Sequence, residues 1–460
     1  MTAPMIEPDS DLHRHIARVF FDYPEIKTIE LIFPDMNGVA RGKLIPVEQA
    51  NKMFGKARLP LSSYQLDIFS QDTAAAGVAI DAGDPDGAGQ VIAFGPALWR
   101  DGDRAVALMT METLDGAPNP LDPRQVLAGV LERFTERGLT PVVAPELEFY
   151  LMDAALGADG RGQPPLSPLD GERLAGAQIY RTSVYEPFAD VLDEMSAAAR
   201  ALGAQADVAL AEFGPGQFEI NLEHTPDALS AADQTILLKH AIRGVARKHG
   251  MEGCFMAKPY GDQAGSGLHF HISVLDARAR NVFSHDDPNA PNPALAGAIA
   301  ALKNTMGGST LAFAPHLNSF RRLAPGTYAP VIAAWGLDNR GVALRVPATT
   351  GLDARLEHRV AGADANPYLA LALILQAILE GIDAEGDPGT PIIGEADETQ
   401  GEMLPTEWPA AIRAFEGSDF VARTTGTEFQ RVYALMKHQE VEMLRARVTD
   451  VEFEVYLRAL

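Results

Sequence analysis

Cysteine is almost missing from this chain: Cys254 is the single one among 460 residues. A disulfide framework within the chain is therefore excluded, and the composition suits a reducing compartment. Basic residues are also scarce, 38 against 62 acidic ones, which leaves a formal net charge of −24. Such a surface disfavours nucleic acid and favours cationic ligands. Long hydrophobic runs are absent too. The longest, "PYLALALILQAIL" from Pro367 to Leu379, falls short of the roughly 20 residues that a bilayer span requires. It reads as a buried helix. The opening "MTAPMIEPDSDLHRH" has neither the basic nor the apolar region of a secretory signal. These absences point to a cytoplasmic protein with no membrane and no nucleic-acid partner. No internal repeat is present.

What remains is an ordinary globular composition, 47% hydrophobic and 22% charged, sufficient for a sizeable core. "IKTIELIFPDMNGVARGKLIPV" carries two strand-like runs about a turn at Asp35–Gly38 and predicts a hairpin. The stretch from about Ala82 to Gly89 is rich in Gly and Asp and predicts a loop. "LDGAPNPLDP" (Leu114–Pro123) is the best linker, and it divides the chain into 1–118 and 119–460. Beyond it the pattern is mixed. Asp122-Pro123 predicts a helix start, with Val126, Leu127, Val130, Leu131 and Phe134 as its apolar stripe before Gly138. The strand "TPVVAPELEFYLM" follows, then a helix over Phe188–Gly203. Asn292-Pro293 and Asn366-Pro367 repeat the cap-plus-proline device. Two polar segments, Leu156–Arg173 and Gly386–Met403, read as exposed loops.

Four short segments carry functional side chains in pairs. Glu146 and Glu148 lie two apart in "APELEFYL", as do His269 and His271 in "GSGLHFHISV", and Glu357 and Arg359 in "RLEHRV". On a strand that spacing aims both side chains to one face. Glu212 and Glu219 flank a Gly-Pro-Gly turn in "AEFGPGQFEI" that can fold them onto one site. A single pair is adequately explained by a solvated sheet face. Four pairs of the same geometry, with carboxylates inside apolar strands where an unpaired charge is costly, point instead to a hard-cation site. Oxygen-dominated ligation suits Mg²⁺ or Mn²⁺ rather than zinc, and the donors outnumber the needs of one Mg²⁺. Two or three ions are expected. Arg321, Arg322, Arg340, Arg345 and Arg359 supply positive charge in the form that a transferring phosphoryl group needs. On residues alone the reading is a two-metal phosphoryl-transfer enzyme, with a phosphohydrolase as the alternative.

"PELEFYL", "EFGPGQFEI", "KPYGDQAGSGLHFHIS", "NSFRRLAPG", "NRGVALRVP" and "RLEHRVAGADANPYLALA", taken in this order, resemble the glutamine synthetase superfamily over nearly the whole chain. The resemblance implies an α+β fold: a small N-terminal β-grasp domain, then a catalytic domain whose antiparallel strands line a funnel ringed by helices. It implies a homo-oligomer of stacked hexameric rings, a dodecamer, with active sites between subunits. It implies one metal on Glu148, Glu212 and Glu219, and a second on Glu146, His269 and Glu357. It places His271 and Ser273 at the nucleotide, Gly265 at glutamate, and Arg322 and Arg359 at the glutamate carboxylates or the reacting phosphoryl. Arg340 and Arg345 would neutralise ATP phosphates. The implied reaction phosphorylates the γ-carboxylate of glutamate with ATP; an amine then displaces phosphate.

Three departures bear on the amine. "LPLSSY" keeps Ser62 and Ser63 but has Pro60 where glutamine synthetases carry the aspartate that helps bind ammonium. The flap reads Pro325-Gly326-Thr327-Tyr328, so Tyr328 replaces the family's glutamate. Ala264 stands in place of an asparagine beside the substrate loop. With the metal and phosphate residues kept and two anionic groups lost, the expected nucleophile is an organic amine. "LIFPDMNGVARGK" and "LPLSSYQLDI" resemble the branch of the superfamily that joins glutamate to putrescine and other polyamines, which implies a polyamine first. Ammonium, ethanolamine or a monoalkylamine are the alternatives. Pro60 and Ser63 are the expected amine-site positions. The Gly386–Met403 loop lacks the tyrosine that nucleotidylation modifies in many bacterial relatives, so that control is expected to be absent. A non-catalytic scaffold would require lost metal ligands, and none is lost.

Overall fold

The computed structural model describes residues 11–73, 77, 83–324, 329–384, 386–396 and 398–460. The first sheet holds five strands: β1 (Thr28–Pro34), β2 (Ala40–Pro46), β3 (Phe54–Pro60), β4 (Asp86–Pro96) and β5 (Arg104–Glu112), in the order β2-β1-β5-β4-β3. The expected hairpin is there, with β1 and β2 antiparallel about the Asp35–Gly38 turn. β1 and β5 run parallel. β5 is central and buried from Ala105 to Met111, so it shows no alternation. On one side Ile29, Leu31 and Ala107 pack with Ile16 and Phe20 of the helix Asp11–Asp22. On the other, Ile32, Phe33 and Leu108 join the main core.

The sequence pattern fails at the start of β4. The expected loop over 82–89 becomes strand from Asp86 onward. A Cβ on Gly87 would lie 2.7 Å from Met111 Cε and 2.8 Å from Leu61 Cδ2, and one on Gly89 3.0 Å from Met109 Sδ. The glycines are there because side chains of β5 cover this strand, and not because the chain turns.

The second sheet has the order β12-β13-β14-β10-β6-β8-β7, with β9 also on β6. Its strands are β6 (Leu139–Asp153), β7 (Ala206–Ala211), β8 (Gln217–Leu222), β9 (Met251–Cys254), β10 (Leu268–Asp276), β12 (Trp335–Leu337), β13 (Leu344–Ala348) and β14 (Arg355–His358). Two short strands, β11 (Ile332–Ala333) and β15 (Glu402–Met403), pair apart from it. The pairing is antiparallel except between β12 and β13. The fold is α+β, with helices packed against this curled sheet.

The helix starts read from sequence hold. Asp122 caps Pro123–Glu136, accepting from Arg124 N, and Leu127, Val130 and Phe134 are buried. Asn292 caps Pro293–Phe313. The helix expected over Phe188–Gly203 spans Ala189–Ala201. Pro367–Ala384 runs five residues past the apolar stretch, through Glu380 and Asp383. By length and composition it could cross a membrane, but 78% of it is buried in the fold. It crosses Pro293–Phe313 so closely that a Cβ on Gly297 would lie 2.1 Å from Gly381 O.

Candidate active site

Cross-strand register assembles one polar face on the second sheet. His269 of β10 lies opposite Glu146 of β6. Glu148 lies opposite Glu219 of β8. His271 lies opposite Glu357 of β14, and Arg345 of β13 opposite Glu357 from the other side. Directly opposed residues share a face, so one side of the sheet carries Glu146, Glu148, Glu219, His269, His271 and Glu357. The intervening Leu147, Phe149, Phe270 and Ile272 are buried in the core. Ser273 shares the alternation of the two histidines on β10, half-buried like His271.

The contacts between these groups are short. His271 Nε2 lies 2.9 Å from Glu146 Oε1. His269 Nδ1 is 3.7 Å from Glu146 Oε2, and its Nε2 is 4.0 Å from Glu148 Oε1. Two triads have donor atoms within 4.8 Å of one another: Glu146, Glu219 and His269, and Glu146, His271 and Glu357. These differ from the sets carried over by resemblance. Glu146 belongs to both, His271 joins the carboxylates, and neither Glu148 nor Glu212 belongs to either. Glu212 sits just past β7, near enough for Glu148 and Glu146 to perturb it.

The electrostatics are those of a crowded acidic face. Burial, then the Glu148 and Glu146 carboxylates, push Glu212 up to about 8. Burial and the carboxylates of Glu146, Glu148 and Glu212 raise Glu219 well above the usual range. Burial opposes ionisation of Glu146, but His269 and His271 override it and hold the carboxyl low. Burial likewise opposes ionisation of Glu357, and Arg359 with the two imidazoles overrides it. Like-charged carboxylates kept together in a partly buried face are what a cation resolves. His269 Nε2 is buried with no hydrogen-bond partner. A donor set of carboxylate oxygens and imidazole therefore fits hard divalent cations.

Positive groups edge this face. Arg345 Nη1 donates to Glu357 Oε2 at 2.7 Å and its Nη2 to Asp338 Oδ1 at 2.6 Å. Arg359, one residue beyond β14, donates to Glu357 Oε1. Arg322, only 5% exposed, donates to Val360 O at 2.7 Å and Arg359 O at 3.2 Å. Arg340 is exposed, and among the described residues no acid pairs with it. An unpaired guanidinium at the rim suits a phosphate.

The glycine-rich loop is tied to both sets. Gly267 N donates to Glu148 Oε2 at 2.8 Å. A Cβ on Gly265 would lie 2.7 Å from both Ala257 O and Arg322 Cγ; one on Gly267 would lie 2.4 Å from His269 Nε2. The glycines let the backbone pass between imidazole and guanidinium.

Other expected positions lie apart or out of view. Pro60 ends β3, and Ser63 Oγ donates to Pro60 O, a contact local to this end of the first sheet. Tyr328 lies outside the described residues. Three further groups were not singled out in the sequence. Gln217 Nε2 donates to Gly265 O at 3.0 Å and Glu148 Oε2 at 3.3 Å, joining loop to carboxylate. Arg355 Nε donates to His271 Nδ1 at 3.2 Å. Tyr180 has φ +54°, is 67% exposed, and has its phenol pushed up by burial and by Glu212. A tyrosine in that backbone region is strained, a signal that no sequence pattern announces.

A family model of the glutamine synthetase catalytic domain matches residues 120–456. This chain belongs to the glutamine synthetase family. Within that family, the gamma-glutamylputrescine synthetase PuuA of Escherichia coli (strain K12) is 38% identical over 447 residues, covering 97% of this chain and 94% of that protein. A glutamate–isopropylamine ligase of a Pseudomonas species is 31% identical over 463 residues, covering 96% of this chain and 97% of the relative. A solved GmaS/ADP complex superposes with a TM-score of 0.80 at 26% identity, over 96% of this chain and 99% of that one. The glutamine synthetase match begins at residue 120, inside the Leu114–Pro123 segment. The chain is an enzyme, a ligase of the glutamate–amine class that these relatives exemplify.

Proposed function

We propose that this ligase joins the γ-carboxylate of L-glutamate to an organic amine, putrescine or another polyamine, with cleavage of ATP to ADP and phosphate. The single observation that carries the reading is a complete carboxylate–imidazole face beside Arg322 and Arg359, combined with Pro60 where the ammonium-binding acid stands in glutamine synthetases. The relatives named for putrescine and isopropylamine support the same reading.

A carboxylate does not condense with an amine unaided in water, so activation through a γ-glutamyl phosphate is the chemically reasonable route. Glu146, Glu148, Glu212, Glu219, His269 and Glu357 would hold two to three Mg²⁺ or Mn²⁺ ions. When bound, these ions neutralise phosphate oxygens and orient them. Gly265 and Arg322 lie together, one offering a carbonyl and the other a fixed guanidinium, and so would grip the glutamate backbone groups and carboxylate. Arg359 lies at the reacting end. Arg340 and Arg345 would meet ATP phosphates, with His271 and Ser273 towards the nucleotide. Tyr328 would shield the acyl phosphate from water. An uncharged Pro60 leaves room for an alkyl chain, and the amine attacks as its neutral form. We assign the enzyme to the cytoplasm, as a dodecamer of stacked hexameric rings with sites between subunits.

The test is phosphate release from ATP with glutamate and Mg²⁺ or Mn²⁺, across ammonium, methylamine, ethanolamine, putrescine, cadaverine and spermidine. Release that depends on a diamine and not on ammonium is the expected result. Release with ammonium alone overturns the reading in favour of an ordinary glutamine synthetase.

A further inference from the structure

One cavity among the described residues lies away from the carboxylate face. It encloses about 890 Å³ between the Asn37–Val39 turn, the end of β6, β9 and the segment His316–Arg321. None of Glu146, Glu148, Glu212, Glu219, Glu357, His269 or His271 lines it. Its size is that of a small-molecule site. We propose that it is a second ligand site, for an amphipathic organic anion, and that its occupancy is felt by Arg322.

The charge balance of its wall selects the anion. Three of the four acids that line it are already paired with a cation: Asp153 with Arg173 at 2.8 Å, Glu252 with Arg247 at 3.2 Å, and Glu440 with Lys437 at 3.1 Å; the fourth, Asp364, accepts from Ser319 Oγ at 2.6 Å. Two cations are unpaired. Arg243 lies over the Phe255 ring, 4.9 Å from its centroid, and among the described residues neither its guanidinium nor that of Arg321 has a hydrogen-bond or ion-pair partner. Trp408, 3% exposed, lines the same space with its indole Nε1 buried and unpartnered. Buried polar atoms are normally satisfied. The indole Nε1 thus lacks an acceptor, and the two exposed guanidiniums add unpaired positive charge beside it, while Met152, Met256, Phe255 and Leu317 supply apolar wall. Among the described residues of this wall the buried acceptor without a partner is Asp364 Oδ1, which would accept from a hydroxyl or amino group of the ligand.

Two connections lead to the active site. Arg321 and Arg322 share the short helical turn Ser319–Arg322. Asn318 donates to Lys258 O and accepts from Lys258 N, both at 2.9 Å, and Ser266 N donates to Ala257 O at 2.9 Å. A ligand that draws Arg321 into the cavity moves the turn that seats Arg322 against Gly265.

Cys254 lines this cavity and is the chain's single cysteine, which makes the test specific. Intact enzyme is titrated with 8-anilinonaphthalene-1-sulfonate by fluorescence, and Cys254 alkylation by iodoacetamide is timed with and without the probe. Expected are one saturable site per chain, slowed alkylation at saturation, and binding weakened more than about tenfold by Arg243→Gln and by Arg321→Gln, since each removes a charge-assisted contact. Binding untouched by both substitutions, or alkylation indifferent to the probe, overturns the proposal. So does a thiol already shielded in the probe-free assembly, which would mean that a neighbouring subunit fills the cavity. These measurements use no glutamate and stand apart from the proposed reaction. The coupling rests on that reading of Arg322: a raised glutamate KM at saturating probe is expected, and an unmoved KM overturns the coupling alone.

Discussion

The amide of Gly267 donates to the Glu148 carboxylate at 2.8 Å. One residue of the substrate loop is thereby fastened to the acidic face beneath it. Glu148→Gln keeps a carbonyl acceptor for that amide but loses the charge; Glu148→Ala loses both. We expect both variants to weaken Mg²⁺ binding, and only Glu148→Ala to raise the glutamate KM further, by about fivefold for one lost charge-assisted bond. Equal KM values for the two variants would refute the loop's dependence on Glu148.

Glu357 is fully buried between Arg345 and Arg359. Glu357→Gln leaves Arg359 without its carboxylate and Arg345 with Asp338 alone, which costs about 3 kcal/mol where a buried pair is broken. The expected outcome is a lower Tm together with a turnover loss of at least about 100-fold. Full activity in this variant would remove Glu357 from the metal set.

Gly265→Ala tests the close approach to Arg322. The added Cβ has 2.7 Å to Arg322 Cγ, and overpacking of that kind costs about 1–3 kcal/mol. Glutamate KM should rise while metal affinity, measured calorimetrically, stays at the wild-type value. A parallel loss of metal affinity would show that the loop shapes the carboxylate face as well.

The raised carboxyls give a pH dependence with a definite sign. Glu212 is pushed up to about 8, and Glu219 is also raised. Between an ordinary carboxyl pKa and about 8 the folded metal-free protein binds more protons than the unfolded chain, so its stability falls as pH rises through that window. Metal binding must expel those protons. Mg²⁺ affinity should therefore climb from pH 6 to 8, and titration in buffers of different ionisation enthalpy should report proton release. Affinity flat over this range would contradict the shifts.

Tyr328→Glu combined with Pro60→Asp restores the two acids that glutamine synthetases carry. Ammonium-dependent phosphate release should appear in the double variant and the putrescine rate should drop. No gain with ammonium would mean that the amine site is built from other residues.

The parts of this site that alternate were legible before any coordinates. Leu147 and Phe149 inward, Glu146 and Glu148 outward, follow from the period of a strand, and so does the pairing of His269 with His271. Which strands become neighbours is another matter. That His271 reaches Glu146 depends on the β10–β6 register, a long-range pairing with no local signature. Gln217 and Arg355 act through long-range contacts that no spacing encodes. The start of β4 was hidden because Gly87 and Gly89 look like a turn until the side chains of Met111 and Met109 are seen to need their space. The parallel pairing of β1 with β5 leaves no trace in alternation either.

The polar face and the core share β6, and this limits how such an enzyme can diversify. Sliding β6 by one residue would turn Leu147 and Phe149 outward and drive Glu146 and Glu148 into hydrocarbon. The acidic residues cannot be moved piecemeal along the sheet, because the interior holds them in place from behind. On the proposed reading of the amine site, change of substrate is channelled to segments outside this lock, where Pro60 and Ala264 stand. An engineer seeking a new amine would vary those positions and leave the strands alone.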